Sequence, residues 1–223
     1  MARVRKIERN PARGKNYYLV DACFLANYAL PFNQHRTTPA NRPQADRDRI
    51  KACRLWWSEI ESQMKVNKAR VYVPDICVAE AFKALAKNYY KATGCWWTSS
   101  DGYQKSRARL RDLVSMSHKK MKATRRKVHV HDVQSDREII IGVDRFHEAF
   151  LKQRPRWLNV GLPDLILAST GRYLMDYYDI PKERLFIVTM DTTLITGINK
   201  CCAELPNCHN PTDPAHSAAN IFV

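Results

Sequence analysis

The stretch YYLVDACFLA (residues 17–26) changes at Asp21 from a strand-like run to a helix-like run. A second stretch, LFIVTMDTTL (residues 185–194), makes the same change around Asp191. Strands that alternate with helices are typical of α/β folds with a largely parallel sheet. Because ligands of such sheets bind at the carboxyl ends of the strands, we expect both aspartates to lie at a site.

Two further segments carry an acidic residue beside an apolar run. VYVPDICVAEAFKAL (residues 71–85) is a short strand closed by a proline and followed by a helix that carries Glu80. GLPDLILAS (residues 161–169) places Asp164 in the first turn of another helix, directly after a proline that suits this position. Carboxylates are costly beside buried apolar segments unless their charge is used or neutralised. Four that converge would form an oxygen-rich pocket for hard divalent cations.

Each of these acids also has a simpler interpretation. Asp21 and Asp191 could be N-caps of the helices that follow them, and Asp164 could complement a helix dipole. Glu80 is different because it lies inside its helix with apolar neighbours. A buried, unpaired glutamate is expensive, so a cation or a positive partner is expected there.

The rest of the chain continues the alternation of strands and helices. Strands are predicted over residues 17–20, 71–73, 127–133 and 185–188, and helices over 23–30, 45–66, 75–90, 103–127, 136–153 and 163–178. The helix from residue 136 takes Ser135 as its predicted N-cap, with Glu138 completing a capping box. A short helix begins at Asp191 and is predicted to end at Gly197, and residues 221–223 are a candidate edge strand. The pattern predicts an α/β fold with a mainly parallel sheet.

Composition is that of a folded, non-membrane protein. The 223 residues are 45% hydrophobic and 26% charged, which is enough for one large domain with a sizeable core. No apolar run approaches the roughly 20 residues that span a bilayer, and the basic N-terminus lacks the apolar segment of a secretory signal. We therefore expect a cytoplasmic protein without a membrane partner.

The cysteines do not indicate a disulfide framework, because the seven are odd in number and scattered. The segment CCAELPNCHN near the C-terminus, followed by His216, has no paired C-x-x-C spacing of a zinc site. We interpret it as a loop with incidental thiols.

Net charge is +15, which predicts attraction to a polyanion, with nucleic acid as the first candidate. The positive charge is concentrated in residues 103–127, which contain ten basic residues and one acid, Asp112. They are Lys105, Arg107, Arg109, Arg111, Lys119, Lys120, Lys122, Arg125, Arg126 and Lys127. A run of one sign favours phosphate binding over an ordinary solvated face. Nearby Trp96, Trp97 and Tyr103 could stack on unpaired bases, although burial in a small core is the simpler interpretation.

In their order and strand contexts, the four acidic segments resemble the PIN (PilT N-terminal) domain, a nuclease family that includes VapC-type toxins. Its pattern is an Asp after the first strand, a Glu in the helix after the second, an Asp opening a later helix and an Asp after the following strand. VDACFLA, VPDICVAEAFKAL, LPDLILAST and FIVTMDTTL match it in that order, over residues 17 to about 198. One departure is Ala22, where VapC-type toxins usually carry Ser or Thr.

The resemblance implies a single PIN-like domain over residues 1–223, built as a three-layer α/β/α fold with helical insertions, of which residues 93–127 form a basic one. It implies that Asp21, Glu80, Asp164 and Asp191 are catalytic ligands of Mg²⁺ or Mn²⁺, and that Thr189 positions a carboxylate or a water. The implied activity is endonucleolytic hydrolysis of RNA, as in the toxin of a toxin–antitoxin pair. Partners would be RNA, a protein antitoxin and a second copy of the chain.

Two alternatives remain open at the level of sequence. One is a non-catalytic or ribosome-associated RNA-binding protein of PIN-like fold: the four acids favour the enzyme, and Ala22 and the basic insertion keep this alternative open. The other is a nuclease directed at DNA, because charge alone does not separate DNA from RNA.

Overall fold

The computed structural model describes residues 14–30, 44–93, 101–114, 130–153, 160–201 and 204–216. Its sheet has five strands in the order β3-β2-β1-β4-β5, and each neighbouring pair is parallel. The strands are β1 (Asn16–Val20), β2 (Ala69–Pro74), β3 (Val130–Val133), β4 (Leu185–Val188) and β5 (Asn207–His209). The predicted α/β class with a parallel sheet is confirmed.

Seven α-helices lie within the described residues, and short 3-10 turns precede β4 and follow β5. The helices are α1 (Ala22–Ala29), α2 (Gln44–Lys65), α3 (Asp75–Thr93), α4 (Asp101–Val114), α5 (Arg137–Gln153), α6 (Leu162–Tyr178) and α7 (Thr192–Cys201). The two 3-10 turns are Lys182–Arg184 and Pro214–His216.

Helices cover both faces of the sheet, which gives the predicted three layers. On one face, Tyr18 of β1 packs edge-on against Trp56 of α2, with ring centroids 5.1 Å apart. On the other face, Tyr72 of β2 stacks with Tyr178 of α6 at 6.4 Å. Every residue of β1 is buried, as expected for a central strand of a parallel sheet that is covered twice.

The strand order contains a topological switch point between β1 and β4. From β1 the chain moves outward to β2 and β3, and it then returns to the other side of β1 to form β4 and β5. The helices that follow β1 and β4 therefore leave in different directions and open a crevice at the carboxyl ends of these two strands. In open α/β sheets this crevice is the usual place for a ligand.

One predicted helix cap is wrong by one residue. The cap of α5 is Asp136, whose carboxylate Oδ1 accepts a hydrogen bond from the Ile139 N–H at 3.1 Å. The hydroxyl of Ser135, which we predicted as the cap, is buried without a hydrogen-bond partner in the described part of the chain. The helix begins one residue later than predicted, which brings Asp136 within reach of the free amides.

Two predictions near the C-terminus are also wrong. Gly197 does not end α7, because the helix continues to Cys201. An added Cβ at Gly197 would lie 3.2 Å from Phe150 Cε1, so the glycine allows close packing on α5. The segment interpreted as a loop contains β5, whose Cys208 is 5% exposed. The predicted strand at 221–223 lies outside the described residues.

No helix among the described residues is long and apolar enough to cross a membrane.

Candidate functional site

Asp21 lies at the carboxyl end of β1, beside the switch point. Its backbone N–H donates to the Val188 carbonyl at 3.0 Å and so extends the pairing of β1 with β4 by one residue. Asp21 occupies the N-cap position of α1, but its side chain makes no capping hydrogen bond. Instead, its Oδ2 accepts a hydrogen bond of 2.7 Å from the Thr189 hydroxyl. The interpretation of Asp21 as a helix-capping side chain is therefore wrong.

Burial makes the charge of Asp21 expensive. The residue is 5% exposed, and burial raises the pKa of its carboxyl to about 6, with the Glu80 carboxylate adding to the rise. The Thr189 hydroxyl and the backbone amides of Cys23 and Ala22 lower the same pKa and only partly offset the burial. Thr189, the residue after β4, thus supplies the side-chain hydroxyl that binds the Asp21 carboxylate.

Asp164 lies in the first turn of α6 and shares this electrostatic environment. Burial raises the pKa of its carboxyl to about 7, and the carboxylates of Asp21, Asp191 and Glu80 contribute to the rise. Its Oδ2 also accepts a hydrogen bond of 3.2 Å from the Gly161 N–H at the start of the helix. The predicted contact with the helix N-terminus is therefore present.

Asp191 follows β4 and caps α7. Its Oδ1 accepts hydrogen bonds from the backbone amides of Thr193 at 2.7 Å and Leu194 at 3.1 Å. Its own N–H donates to the Thr189 hydroxyl at 3.0 Å. The N-cap interpretation of Asp191 is confirmed, and the Thr189 hydroxyl connects Asp191 to Asp21 through two hydrogen bonds.

Glu80 is half-buried in the second turn of α3. Its carboxylate makes a small contribution to the raised pKa of both Asp21 and Asp164. The Cys77 thiol lies among the same groups. Burial is the largest cause of its raised pKa, and the charges of Asp21, Glu80 and Asp164 follow.

Electrostatic effects therefore connect the four acids through Asp164, which is influenced by the charges of Asp21, Asp191 and Glu80. Among the described residues, no Lys, Arg or His forms an ion pair with any of them; the ion pairs present join other acids. Their oxygen-only donor set suits Mg²⁺ or Mn²⁺. Their arrangement, however, is not that of a closed metal site. Within the described ranges, no three His, Cys, Asp or Glu side chains are placed so that they could hold an ion.

The hydrogen bonds explain this arrangement. The carboxylates of Asp164 and Asp191 are turned toward backbone amides at the starts of their own helices. Asp21 is turned toward Thr189. The free amides of helix N-termini therefore hold the carboxylates of Asp164 and Asp191, and a side-chain hydroxyl holds that of Asp21.

The basic segment is described only in part. Of its ten cationic residues, four lie on α4: Lys105, Arg107, Arg109 and Arg111; the others lie outside the described residues. Lys105 forms an exposed ion pair with Asp101 at 2.7 Å, and Arg109 donates to the carbonyls of Ala29 and Leu30 at the end of α1. Two of the four thus have contacts within the protein.

Of the aromatic residues near the basic segment and on α2, those described are buried in the core, which was the simpler alternative to stacking on bases. Tyr103 is 4% exposed and belongs to the core, and Trp56 and Trp57 are core residues of α2. Trp96 and Trp97 lie outside the described residues.

A surface cavity lies away from the acids. It has a volume of about 380 Å³ and is lined by residues of α5 and α6, including Arg145, Phe146, Arg172 and Tyr177. None of the four acids lines this cavity.

Sequence reasoning missed two thiols at the site. Cys23 lies two residues after Asp21, and the charges of Asp21 and Asp191 add to the effect of burial in raising the pKa of its thiol to about 12. Cys77 lies three residues before Glu80, a spacing that places both on one face of α3. That spacing was the available signal for Cys77.

Comparison with protein-family models found no match, and comparison with curated proteins found none either. Among solved structures, the chain is similar to one from Rickettsia felis, VapBC2 bound to a DNA fragment from its promoter. The similarity covers 87% of this chain and 98% of that chain, with 14% sequence identity and a TM-score of 0.46.

Proposed function

We propose that this protein is a metal-dependent endoribonuclease whose site is formed by Asp21, Glu80, Asp164 and Asp191. The observation that carries the proposal is the group of four carboxylates at the switch point, with no cationic side chain paired to them in the described residues. A fold does not keep a carboxylate such as Asp21 buried and unpaired without cost. A divalent cation would remove that cost.

Each residue then has a defined part. Asp21, Glu80 and Asp164 are the proposed principal ligands of Mg²⁺ or Mn²⁺, and Asp191 binds directly or through a water. The Thr189 hydroxyl holds Asp21 at 2.7 Å and fixes its orientation, as partners of metal ligands commonly do. When bound, the cations would activate a water and stabilise the leaving oxygen of the phosphodiester.

Substrate binding is assigned to the positive charge of the chain. The net charge of +15 attracts a polyanion, and the phosphates would be drawn to the basic residues 103–127. Of the four basic residues on α4, only Lys105 forms an ion pair with a carboxylate among the described residues, and Arg109 bonds backbone carbonyls, which leaves Arg107 and Arg111 for the phosphates. RNA is preferred to DNA on the strength of the family resemblance.

The first experiment measures cleavage. Purified protein should cut RNA with Mg²⁺ or Mn²⁺ and lose the activity in EDTA. Asp21→Asn and Asp164→Asn should each lower the rate by about 100-fold or more, since a ligand is lost while shape is kept. Asp144→Asn, at an exposed position of α5, is the matched control and should cut at the wild-type rate. Equal rates for Asp21→Asn and Asp144→Asn would refute the assignment.

A non-catalytic RNA-binding protein is the second candidate, and one observation favours it. Asp164 and Asp191 already serve their own helices as capping groups, which gives them a structural use. If metal-replete protein binds RNA tightly but cuts neither structured nor single-stranded RNA or DNA, this candidate replaces the first.

The second experiment tests whether residues 125–127 contribute to RNA binding. Changing Arg125, Arg126 and Lys127 to Gln should weaken RNA binding and reduce the slope of log K against log salt by up to about 2, at roughly 0.7 per phosphate contact on a single strand. Arg47, Lys51 and Lys65, exposed on α2, provide a control that loses the same three charges when changed to Gln. The same slope in both variants would remove residues 125–127 from the binding surface.

The toxin role, a protein antitoxin and a homodimer complete the proposal and rest on the resemblance. A small protein encoded beside this gene should form a complex with the chain and stop cleavage. Light scattering of the purified chain gives its mass in solution and decides between monomer and dimer.

A further inference from the structure

We propose that Arg54 of α2 and Arg109 of α4 together bind one backbone phosphate of the RNA strand, about 14 Å from the carboxylates. This phosphate site rests on the proposed function for the identity of its ligand. It adds to that function a second point at which the strand is held, and neither arginine belongs to the group of four acids.

The two guanidinium groups meet at the end of α1. Nη2 of Arg54 donates a hydrogen bond to the Leu30 carbonyl oxygen. Nη1 of Arg109 donates to the same oxygen at 3.3 Å and to the Ala29 carbonyl oxygen at 3.2 Å. Two nitrogens that share one acceptor lie at most about 7 Å apart. A phosphate accepts hydrogen bonds of about 2.8 Å through separate oxygens, so one phosphate can bridge both groups.

Capping of α1 is the simpler role of these contacts, because basic side chains commonly bond the last carbonyls of a helix. A helix C-terminus carries about half a negative charge, whereas the arginines carry two positive charges. The helix end and the two side chains together therefore keep about 1.5 positive charges. Burial is the largest cause of the lowered pKa of Arg54, and the charge of Arg109 adds to it. An anion between the two guanidinium groups would remove this repulsion.

Donors for a ligand remain on Arg109. A guanidinium group has five N–H donors in a planar fork that matches phosphate oxygens. In the described part of the chain, Arg109 uses only Nη1 for hydrogen bonds, and the residue is exposed. Arg109 can therefore hold α1 through one nitrogen and bind a phosphate through the other two. Arg54 is half-buried, so Arg109 forms the exposed side of the site.

The pair lies at a set distance from the carboxylates, because α1 connects the two places. Asp21 is the N-cap of α1 and Leu30 is its C-cap. The helix rises about 1.5 Å per residue, which gives about 14 Å between these caps. This is the length of about four stacked nucleotides at roughly 3.4 Å each. The arginines would hold the strand beside the cleaved bond without touching the reacting atoms, so their loss should raise KM and leave kcat unchanged.

Binding is measured first, with a single-stranded RNA of about ten nucleotides in EDTA, where the metal-dependent cleavage does not occur. Arg54→Gln and Arg109→Gln should each weaken binding by about fivefold or more. Because both side chains hold one phosphate, the double variant should lose less than the product of the two single losses. Its slope of log K against log salt should fall by about 0.7. Lys65→Gln, exposed in the last turn of α2, is the matched control and should bind as wild type.

A purely structural role of the arginines gives different results. Loss of a cap lowers the melting temperature but leaves the salt slope unchanged. Arg54→Lys keeps the charge and should keep the wild-type slope. Arg109 is exposed, so Arg109→Gln carries the test if Arg54→Gln does not fold. In Mg²⁺ or Mn²⁺, Arg109→Gln should raise KM by about fivefold or more at unchanged kcat.

The outcomes separate the phosphate site from the proposed function. If wild type and Arg109→Gln bind and cut RNA equally well, the phosphate site is overturned and the ribonuclease stands. If wild type binds RNA but never cuts it, and Arg109→Gln binds more weakly, the phosphate site is supported and the ribonuclease is overturned. A fall in kcat at unchanged KM would show that Arg109 acts on the carboxylates through the fold and not on a phosphate.

Discussion

Asp21 shows how one residue combines a structural cost with a chemical use. Its position after β1 was predictable from the apolar run before it, and the family resemblance implied that Thr189 positions a carboxylate or a water, without naming Asp21 as that carboxylate. The sequence alone left an N-cap role open for Asp21, because N-cap position and capping contact look the same in a sequence. The structure separates them, since the Asp21 carboxyl accepts a hydrogen bond from the Thr189 hydroxyl and makes no capping hydrogen bond.

The raised pKa of Asp21 predicts how stability changes with pH. Burial raises the folded pKa to about 6, above the unfolded value of about 3.9. The protonated Asp21 carboxyl therefore makes its full contribution to the free energy of unfolding below about pH 4. This contribution is lost as pH rises through about 6, because the buried group must then ionise. The rise in the Asp21 pKa from about 3.9 to about 6 corresponds to about 3 kcal/mol in the free energy of unfolding. In EDTA, Asp21→Asn should therefore be more stable than wild type at pH 8 by about 1–3 kcal/mol, and the gain should shrink at pH 5.

Chemical denaturation at the two pH values measures this gain. The asparagine Oδ1 can still accept from the Thr189 hydroxyl, so the substitution removes charge and keeps the contact. Asp144→Asn, at an exposed position, should leave stability unchanged at both pH values. A variant Asp21→Asn that is less stable than wild type at pH 8 would show that something other than charge burial dominates at this position.

At the scale of elements, two substitutions at the start of α5 test whether Asp136, and not Ser135, is the N-cap of that helix. The Asp136 carboxylate accepts from the Ile139 N–H, whereas the Ser135 hydroxyl is buried without a partner among the described residues. Asp136→Ala should lower the free energy of unfolding by about 1 kcal/mol. Ser135→Ala removes an unsatisfied group and should be neutral or slightly stabilising. Thermal unfolding of both variants gives the comparison, and a larger loss for Ser135→Ala would restore the original assignment.

The elements that sequence predicted well are those with strong local patterns. β1 and β4 are continuous apolar runs, and α6 opens with Pro163 in its first turn. The errors arose where a tertiary contact overrides a local preference. Gly197 looks like a helix end, but its missing side chain makes room for Phe150. β5 has three residues and depends on pairing with β4, which no local pattern reveals.

At the scale of the whole molecule, the site follows from strand order. Parallel pairing and the reversal between β1 and β4 place Asp21 and Asp191 at one crevice. Packing of α3 and α6 adds Glu80 and Asp164, whose convergence the sequence could suggest but not establish. The result is a negative group in a chain of net charge +15. A protein with so much positive charge elsewhere offers these carboxylates no paired Lys or Arg in its described part.

A divalent cation should therefore stabilise the fold as a whole. An ion that binds only the folded state adds about 2.7 kcal/mol when present at 100 times its dissociation constant. Mn²⁺ should raise the melting temperature at pH 8 more than at pH 5. At the lower pH, Asp21 and Asp164 keep their protons, because burial raises their pKa values to about 6 and about 7.

The double variant Asp21→Asn with Asp164→Asn should lose this response, whereas Asp144→Asn should keep it. Scanning calorimetry with NaCl at matched ionic strength separates binding from the screening of charge. If Mn²⁺ stabilises the double variant as much as wild type, the ion binds elsewhere and the four carboxylates are not its site.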